Sequence, residues 1–551
     1  MGTQRLHGDE RELTIMARDA HGQVVHPKLL VDRMMEELGA LPSVASSKES
    51  KGLFLAHGHV YAELESLLEA ACADCRTPVG ATLQGALLRT VIAEAGTRVR
   101  EALSLSQLVI SQHNTAYNLE DIDHSTAGHF NIGRSVPVHT LMPDLCTFMS
   151  VLPLLSGGGG LDLRTFDFTM SLRAMRCTAM TSGHTSTRRG IVDTKEIPAP
   201  HGSRQHLLGI DNLQSHLQTR AVYAAVHLLV QCLETHPEGA PRIELAQPVT
   251  DLHCAVAGAN LAHFYRLADG RRMTGVQLLL TYCDWIRERK KDTPLPQWAD
   301  EELENVSEIA TKLNDGGLVA LEGLCDHATL WKLWNRTLDA HDIPLKSARA
   351  ARRALVRKGN AQAIWQKIVA NERTPGPCPS SDVVGVTRWR RPDSDVLDRY
   401  ILAMRKFMAI AYEYGDIMRG GLFHQLTDSG LAAPGVLFTD SQLDGQCHQP
   451  PPEEEGRCHI RANAILDLAR NGEEAQANWE EVRSLRRGVL DLRAPGPSGS
   501  FEWGPIPQRQ LKSKDDRHPF TSLRAYLVER NSLASIRAVE YTPLGVEGSH
   551  P

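Results

Sequence analysis

The stretch His7–Asp19, HGDERELTIMARD, sets two carboxylates, Glu10 and Glu12, two residues apart in a run that reads as a strand. Successive side chains of an extended chain point to opposite sides. Over residues 8–16 this gathers Glu10, Glu12 and Thr14 on one face and Arg11, Leu13 and Ile15 on the other. The segment 52–65, GLFLAHGHVYAELE, alternates in the same way, with Leu55, His57, His59, Tyr61 and Glu63 on one side and Phe54, Ala56, Gly58, Val60 and Ala62 on the other. Acids and a tyrosine on neighbouring strand faces make an oxygen-rich surface. Such a surface suits hard divalent cations like Mg²⁺, which also share phosphate oxygens with nucleotides. The plainer reading of the same pattern is a solvated sheet face.

Outward from these strands the sequence mixes helical and extended patterns. HPKLLVDRMMEELG at 26–39 reads as an amphipathic helix, with Gly39 placed to cap its end. ESLLEAACADC at 65–75 reads as a second helix, with Glu65, Glu69 and Cys72 on one side at i, i+4, i+7 spacing. LQGALLRTVIAEAGTRVREAL continues as helix and SQLVISQHNT as strand. The four glycines at 157–160 match no phosphate-loop pattern and read as a turn. The order of elements predicts an α+β fold. A stretch rich in Pro, Ser and charge at 374–396 predicts an exposed connection, and the chain divides into residues 1–455 and a smaller C-terminal unit, 456–551.

With 551 residues, 42% hydrophobic and 23% charged, the composition is that of an ordinary globular protein with ample material for a core. A formal net charge of −6 gives no electrostatic footprint for nucleic acid. The polar N-terminus, and apolar runs broken by His, Gln, Arg or Lys, predict neither a signal peptide nor a membrane span. Eleven scattered cysteines then point to reduced thiols in a cytoplasm rather than to a disulfide framework. Cys447, His448, Cys458 and His459 are ligand types for Zn²⁺, but their spacing matches no standard finger, and loop thiols with surface imidazoles are the alternative. Cys72 and Cys75 form Cys-x-x-Cys in a segment read as helical, a setting that favours packing or site lining over redox chemistry.

Several segments, in order, carry a resemblance. GDEREL at 8–13, GHVYAELESLLEAACADC at 58–75, GHFNIGR at 128–134, TSTRRGIVDTKEIPAP at 185–200, RQHLLGID at 204–211, GLFHQL at 421–426, PPPEEEGRCHIRANAI at 450–465 and ANWEEVR at 477–483 resemble the motifs of the Pup ligase and depupylase family. That family is related to glutamine synthetase and other carboxylate-amine ligases. The resemblance implies a curved, largely antiparallel sheet packed by helices, with a smaller C-terminal domain. It implies that Glu10 binds magnesium with Glu12 in support, that Tyr61 and Glu69 belong to the same metal site, and that Glu63 stands where the family has its catalytic aspartate. His59 falls at a nucleotide-contacting arginine and Cys72 at an ATP-contacting threonine, both departures from the pattern. His129, Asn131, Arg189 and Thr194 match further motif positions, and Trp479 matches a nucleotide-stacking tryptophan.

The chemistry so implied uses ATP and Mg²⁺ to turn a carboxylate into an acyl phosphate, which an amine then attacks. Glu63 is the candidate general base for that amine. In the family the carboxylate belongs to the terminal glutamate of a small ubiquitin-like modifier and the amine to a lysine of a target protein. A peptide or small-molecule carboxylate and a small amine are the alternative partners, and neither nucleic acid nor membrane is expected. A depupylase-like or deamidase-like hydrolase on the same fold is a second reading. The short link at 43–51 lacks the long insertion that depupylases carry there and so favours the ligase. A non-catalytic nucleotide-binding scaffold is the third.

Overall fold

The computed structural model describes residues 5–41, 44–47, 52–63, 67–115, 117, 122, 125–184, 188–195, 197–199, 202–207, 209–370, 395–452, 457–493 and 501–504. Glu65 and nearly all of the connection expected at 374–396 lie outside these residues. In chain order the elements that build the site are β1 (His7–Arg18), α1 (Pro27–Gly39), β2 (Ala45–Ser47), β3 (Gly52–Leu55), β4 (Gly58–Glu63), β5 (Leu67–Cys72), α2 (Pro78–Ala102), β6 (Gln107–Ser111) and β7 (Gly128–Arg134).

β1 is the spine of a thirteen-stranded sheet, pairing antiparallel with β5, β6 and β7. On one side the sheet continues through β5, β4, β3 and β2. On the other it runs through β7 to the strands Gly202–Leu207 and Ile197–Ala199. Beyond β2 it gains Gln476–Ala477, Glu481–Ser484, Gly488–Asp491 and Trp503–Gly504, and the β2 to Gln476–Ala477 pairing is its parallel one. This is the α+β, largely antiparallel architecture expected.

One face of the sheet is covered by helices. Leu13 and Ile15 of β1, Leu53 and Leu55 of β3, Val60 of β4 and Leu68 of β5 pack with Leu30, Met34 and Leu38 of α1 and Leu88, Val91 and Ile92 of α2. Each such side chain is worth about 1.5–3 kcal/mol when fully buried. A one-residue slip of β1 would turn its apolar set outward and its acids inward, so the register is strongly fixed. Thr77 caps α2, its Oγ1 accepting from Gly80 N at 2.9 Å with Pro78 in the first turn. The helix expected at 26–39 forms, burying Leu30, Val31, Met34, Met35 and Leu38 and leaving Leu29 exposed.

Two expectations are corrected. The segment read as a helix carrying Glu69 and Cys72 is the strand β5. It lies between β1 and β4 and is buried along its whole length. The run read as one strand over 52–65 is a hairpin, β3 and β4, turning at Ala56 and His57. Gly58 closes that turn at φ +154°, and a Cβ there would lie 2.1 Å from the Ala71 carbonyl oxygen. The turn reverses the side-chain parity. Phe54 therefore shares a face with its cross-strand partner His59, whereas Leu55 joins Val60 in the helix-side core.

The residues after 456 contribute a helix, Arg457–Arg470, and the outer strands of the same sheet. Ile465, Leu468, Val482 and Leu490 pack with Ala45 of β2 and Phe54 of β3. The four glycines form a buried turn in which Gly158 donates its N–H to Asp211 Oδ2 at 2.7 Å. Among the described residues no helix is long and apolar enough to cross a membrane, and all ten described cysteines are free thiols.

Candidate active site

The sheet face away from α1 and α2 gathers the acids. Register sets them in two cross-strand rows: Tyr61, Glu69 and Glu12 in one, and His59, Ala71, Glu10 and His129 in the next. Directly opposed side chains on one face have Cβ atoms roughly 4.5–5.5 Å apart, so each row is a line of contacts. Ala71 is the small member, leaving room between His59 and Glu10. Glu63 lies two residues beyond Tyr61 on β4 and therefore on the same face.

The electrostatics follow from this crowding. The Glu69 carboxyl is pushed up to about 9 by burial, then by the Glu10 charge and by the adjoining Glu63 carboxyl. Tyr61 is raised above its ordinary value by burial and by the carboxylate of Glu69. Glu12 is raised by burial, with Arg173 opposing and Glu63 reinforcing the shift, while its Oε2 accepts the Ala127 N–H at 2.8 Å. For Glu10 burial acts upward too, but His129 and Arg204 outweigh it and hold the carboxyl below its usual range. The His129 imidazole lies between the two acids of β1, with Nδ1 3.8 Å from Glu10 and Nε2 3.9 Å from Glu12. Burial lowers it to about 4, leaving it neutral at pH 7. Four carboxyl groups crowded on one face, with a tyrosine oxygen beside them, are the oxygen-rich chemistry that fits a hard divalent cation. Glu10, Tyr61 and Glu69 offer oxygens on this face, and the ligand atoms of Glu10, His129 and His206 lie within 4.8 Å of one another.

Basic groups border the acids on one side. Arg173 is buried, with Nη1 3.2 Å from Ser125 Oγ and Nη2 3.4 Å from His129 Nε2. Arg189 Nη1 reaches the same Ser125 Oγ at 3.2 Å, and burial beside Arg173 lowers its pKa to about 10, so it is charged at neutral pH.

Aromatic rings border them on the other side. His59 stacks on Tyr61 and on Phe54 at centroid distances of 4.9 and 4.3 Å, and Trp479 meets Phe54 edge-on at 5.2 Å. Arg461 lies over Trp479 at 4.8 Å and over Phe54 at 5.6 Å. It is fully buried, and among the described residues none of its three nitrogens has a hydrogen-bond partner. Its nearest carboxylate is Asp74, at 3.6 Å. Burial and the Arg461 charge lower His59 to about 4, so its imidazole is neutral at pH 7.

The structure thus brings Glu10, Glu12, Tyr61, Glu63 and Glu69 together, with Arg189 at one border and His59 and Trp479 at the other. It does not bring Cys72 to them. On a strand, Glu69 and Cys72 face opposite ways, and the Cys72 thiol is buried on the helix side, accepting the Asp9 N–H at 3.1 Å. The resemblance implied Cys72 among the nucleotide contacts, and that is corrected: on β5 its thiol faces away from Glu69. Sequence reading alone did not single out Arg173, Arg204 or His206, or Arg461. Arg204 and His206 sit two apart in RQHLLGID, and Arg461 lies within CHIRANAI, so an alternation count of the kind applied to β1 would have flagged the first two.

Known proteins resemble this chain in sequence and in fold. The family model described as Pup-ligase protein matches residues 16–356, well over half of the chain, a span that begins after Glu10 and Glu12 and ends before Trp479. The Pup–protein ligase of Kocuria rhizophila is 25% identical over 297 residues, covering 50% of this chain and 61% of that protein. The Pup deamidase/depupylase of Mycobacterium tuberculosis is 21% identical over 283 residues, covering 49% and 53%. The chain thus spans less than two thirds of the length of either relative. The crystal structure of the complex between the prokaryotic ubiquitin-like protein Pup and its ligase PafA superposes with a TM-score of 0.67 at 16% identity, over 100% of this chain and 99% of that one. The structure of PafA in complex with ADP gives 0.60 at 16%, over 92% and 94%. Those two likenesses establish the fold, and with it the family match over residues 16–356 puts this chain in the Pup-ligase protein family.

Proposed function

We propose that the chain is an ATP-dependent carboxylate-amine ligase that activates a carboxylate as an acyl phosphate and passes the acyl group to an amine, forming an amide or isopeptide bond. The observation that carries this reading is the convergence of Glu10, Tyr61, Glu63 and Glu69 on one sheet face, between a border of guanidinium groups and a shelf of aromatic rings.

Each residue has a task in this reaction. Trp479 offers a ring for the adenine to stack on, and Arg461 beside it is a buried cation with no hydrogen bond among the described residues, suited to an anionic oxygen. Glu10, Tyr61 and Glu69 would hold Mg²⁺, which when bound neutralises phosphate charge and favours in-line transfer. Arg173 and Arg189 orient the substrate carboxylate. One of its oxygens attacks the γ-phosphorus, the bond to the ADP oxygen breaks, and the carboxylate becomes an acyl phosphate. The amine nitrogen then attacks the acyl carbon, Glu63 takes its proton, and phosphate leaves. Glu for Asp at this position lengthens the reach by one methylene, about 1 Å, enough to change the acceptor that fits.

The solved relative in complex with Pup supports a small ubiquitin-like modifier as the carboxylate partner, and a protein lysine is the acceptor proposed to go with it. A peptide or small-molecule carboxylate is the other class, and the substitutions at His59 and Glu63 are what favour it. The cytoplasm, where thiols stay reduced, is the location that suits the free cysteines. A depupylase-like hydrolysis on the same face is the second reading, favoured by the relative named as a depupylase. The test is to incubate the protein with ATP, Mg²⁺, Pup bearing a terminal glutamate, and lysine-containing acceptors, following ADP release and product mass. Condensation lost in Glu10→Ala and Glu63→Ala supports the ligase. Cleavage of a Pup conjugate without condensation overturns it in favour of the hydrolase, and nucleotide binding with neither overturns it in favour of a scaffold.

A further inference from the structure

A second group of ligand-type side chains meets on the other side of the sheet. Glu94 projects from α2. The helix Asp440–Gln446 ends against it and is followed at once by Cys447 and His448. Cys447 Sγ is 3.5 Å from Glu94 Oε1, and His448 Nε2 is 3.0 Å from Glu94 Oε2. One ligand atom from each of the three residues lies within 4.8 Å of the others. The sequence offered four candidates here, and the structure separates them. Cys458 and His459 join no such group among the described residues, and His459 Nδ1 instead meets the Pro451 carbonyl at 2.6 Å.

We propose that Glu94, Cys447 and His448 form a Zn²⁺ site, with three protein ligands and a fourth position open to solvent. Sulfur, imidazole and carboxylate together are a donor set for zinc rather than magnesium. Bonds of about 2.3 Å to sulfur and 2.0–2.2 Å to nitrogen and oxygen, held at tetrahedral angles, require ligand atoms roughly 3.3–3.6 Å apart. The observed contacts, 3.5 Å from Sγ to Oε1 and 3.0 Å from Nε2 to Oε2 of the same carboxylate, with all three groups within 4.8 Å, need only a small side-chain adjustment to reach that spacing. Access is graded as an entry path requires: the thiol is buried, the carboxylate half-buried and the imidazole exposed.

The site pins a particular joint. Leu443 and Cys447 belong to the core beneath the sheet, and the Gln446 carbonyl lies 3.3 Å from Nε2 of His57, at the turn between β3 and β4. Zinc there would tie α2 to the segment that braces the hairpin bearing His59, Tyr61 and Glu63.

The test uses the full chain, stripped with a chelator and kept in excess Mg²⁺ so that the acidic face is occupied, then titrated with Co²⁺. One equivalent should give near-ultraviolet thiolate-to-cobalt absorption, abolished by added Zn²⁺, and the Zn²⁺ form should melt higher than the stripped form. Cys447→Ser should remove the band. His448→Ala, at an exposed position that leaves the core intact, should weaken binding by more than the roughly 10–100-fold that loss of a mere orienting partner costs. Cys458→Ser and Glu10→Ala should keep the band. Absence of a thiolate band at one equivalent, or a band that survives in Cys447→Ser or is undiminished in His448→Ala, would overturn the proposal.

Discussion

His129 stands between Glu10 and Glu12, its two ring nitrogens 3.8 and 3.9 Å from the carboxylates. The neutral imidazole packs against both acids of β1 and, with a single N–H and Nε2 facing Arg173, can orient only Glu10 as an oxygen ligand for a cation. His129→Ala should raise the Mg²⁺ concentration for half-maximal ATP cleavage by about 10–100-fold with little change in far-UV circular dichroism. An unchanged Mg²⁺ dependence would remove His129 from the site.

Glu63 is assigned proton transfer rather than binding. Glu63→Gln keeps the shape and removes the base, so turnover should fall by about 100- to 10,000-fold while ADP affinity stays near that of the parent. Glu63→Asp keeps a carboxylate and should recover part of the loss. A Gln variant as active as the parent would exclude the role.

Trp479 and Arg461 form the stacked pair at the aromatic border. Base stacking on an aromatic ring is worth about 1–3 kcal/mol, so Trp479→Ala should weaken ADP binding roughly 5- to 150-fold by calorimetry. The same variant should leave the proton-transfer step untouched, giving a change in KM for ATP far larger than that in kcat. Equal affinity in the two proteins would mean that the nucleotide lies elsewhere.

Asp416 gives a pH dependence of stability remote from the acidic face. Its Oδ1 accepts the Ile110 and Met418 N–H groups at 3.1 and 3.0 Å, and burial pushes the carboxyl from the ordinary 3.8 up to about 7. The native state therefore keeps a proton that the unfolded chain gives up, and the group's contribution, full below about 4, is lost as pH rises towards 7. Asp416→Asn keeps the acceptor oxygen and removes the titration. Its melting temperature relative to the parent should climb between pH 4 and 7 and level off above, and a constant difference would contradict the assignment.

The strand β1 was legible because its two faces differ in chemistry: acids alternate with Leu13 and Ile15, and only an extended chain separates them. β5 was not. Strands buried on both faces lose their alternation, and LLEAAC, rich in leucine, alanine and glutamate, carries helix propensity that its place between β1 and β4 overrides. That one error moved Cys72, since residues three apart share a side on a helix and take opposite sides on a strand. The hairpin at Gly58 hid in the sequence because the alternation of His57, His59, Tyr61 and Glu63 continues across the turn as if the chain stayed extended. Arg173, His206 and Arg461 join the site through chain separations that no local pattern records.

The most direct measurement is to follow heavy oxygen from the substrate. Pup labelled with heavy oxygen in its terminal glutamate carboxylate is turned over with ATP, Mg²⁺ and an amine acceptor, and the released phosphate is examined by mass. Activation through an acyl phosphate on the Glu10, Tyr61 and Glu69 face predicts one labelled oxygen in each phosphate formed, with the transfer absent in Glu10→Ala. Product formed with unlabelled phosphate would contradict carboxylate activation and the ligase account built on it.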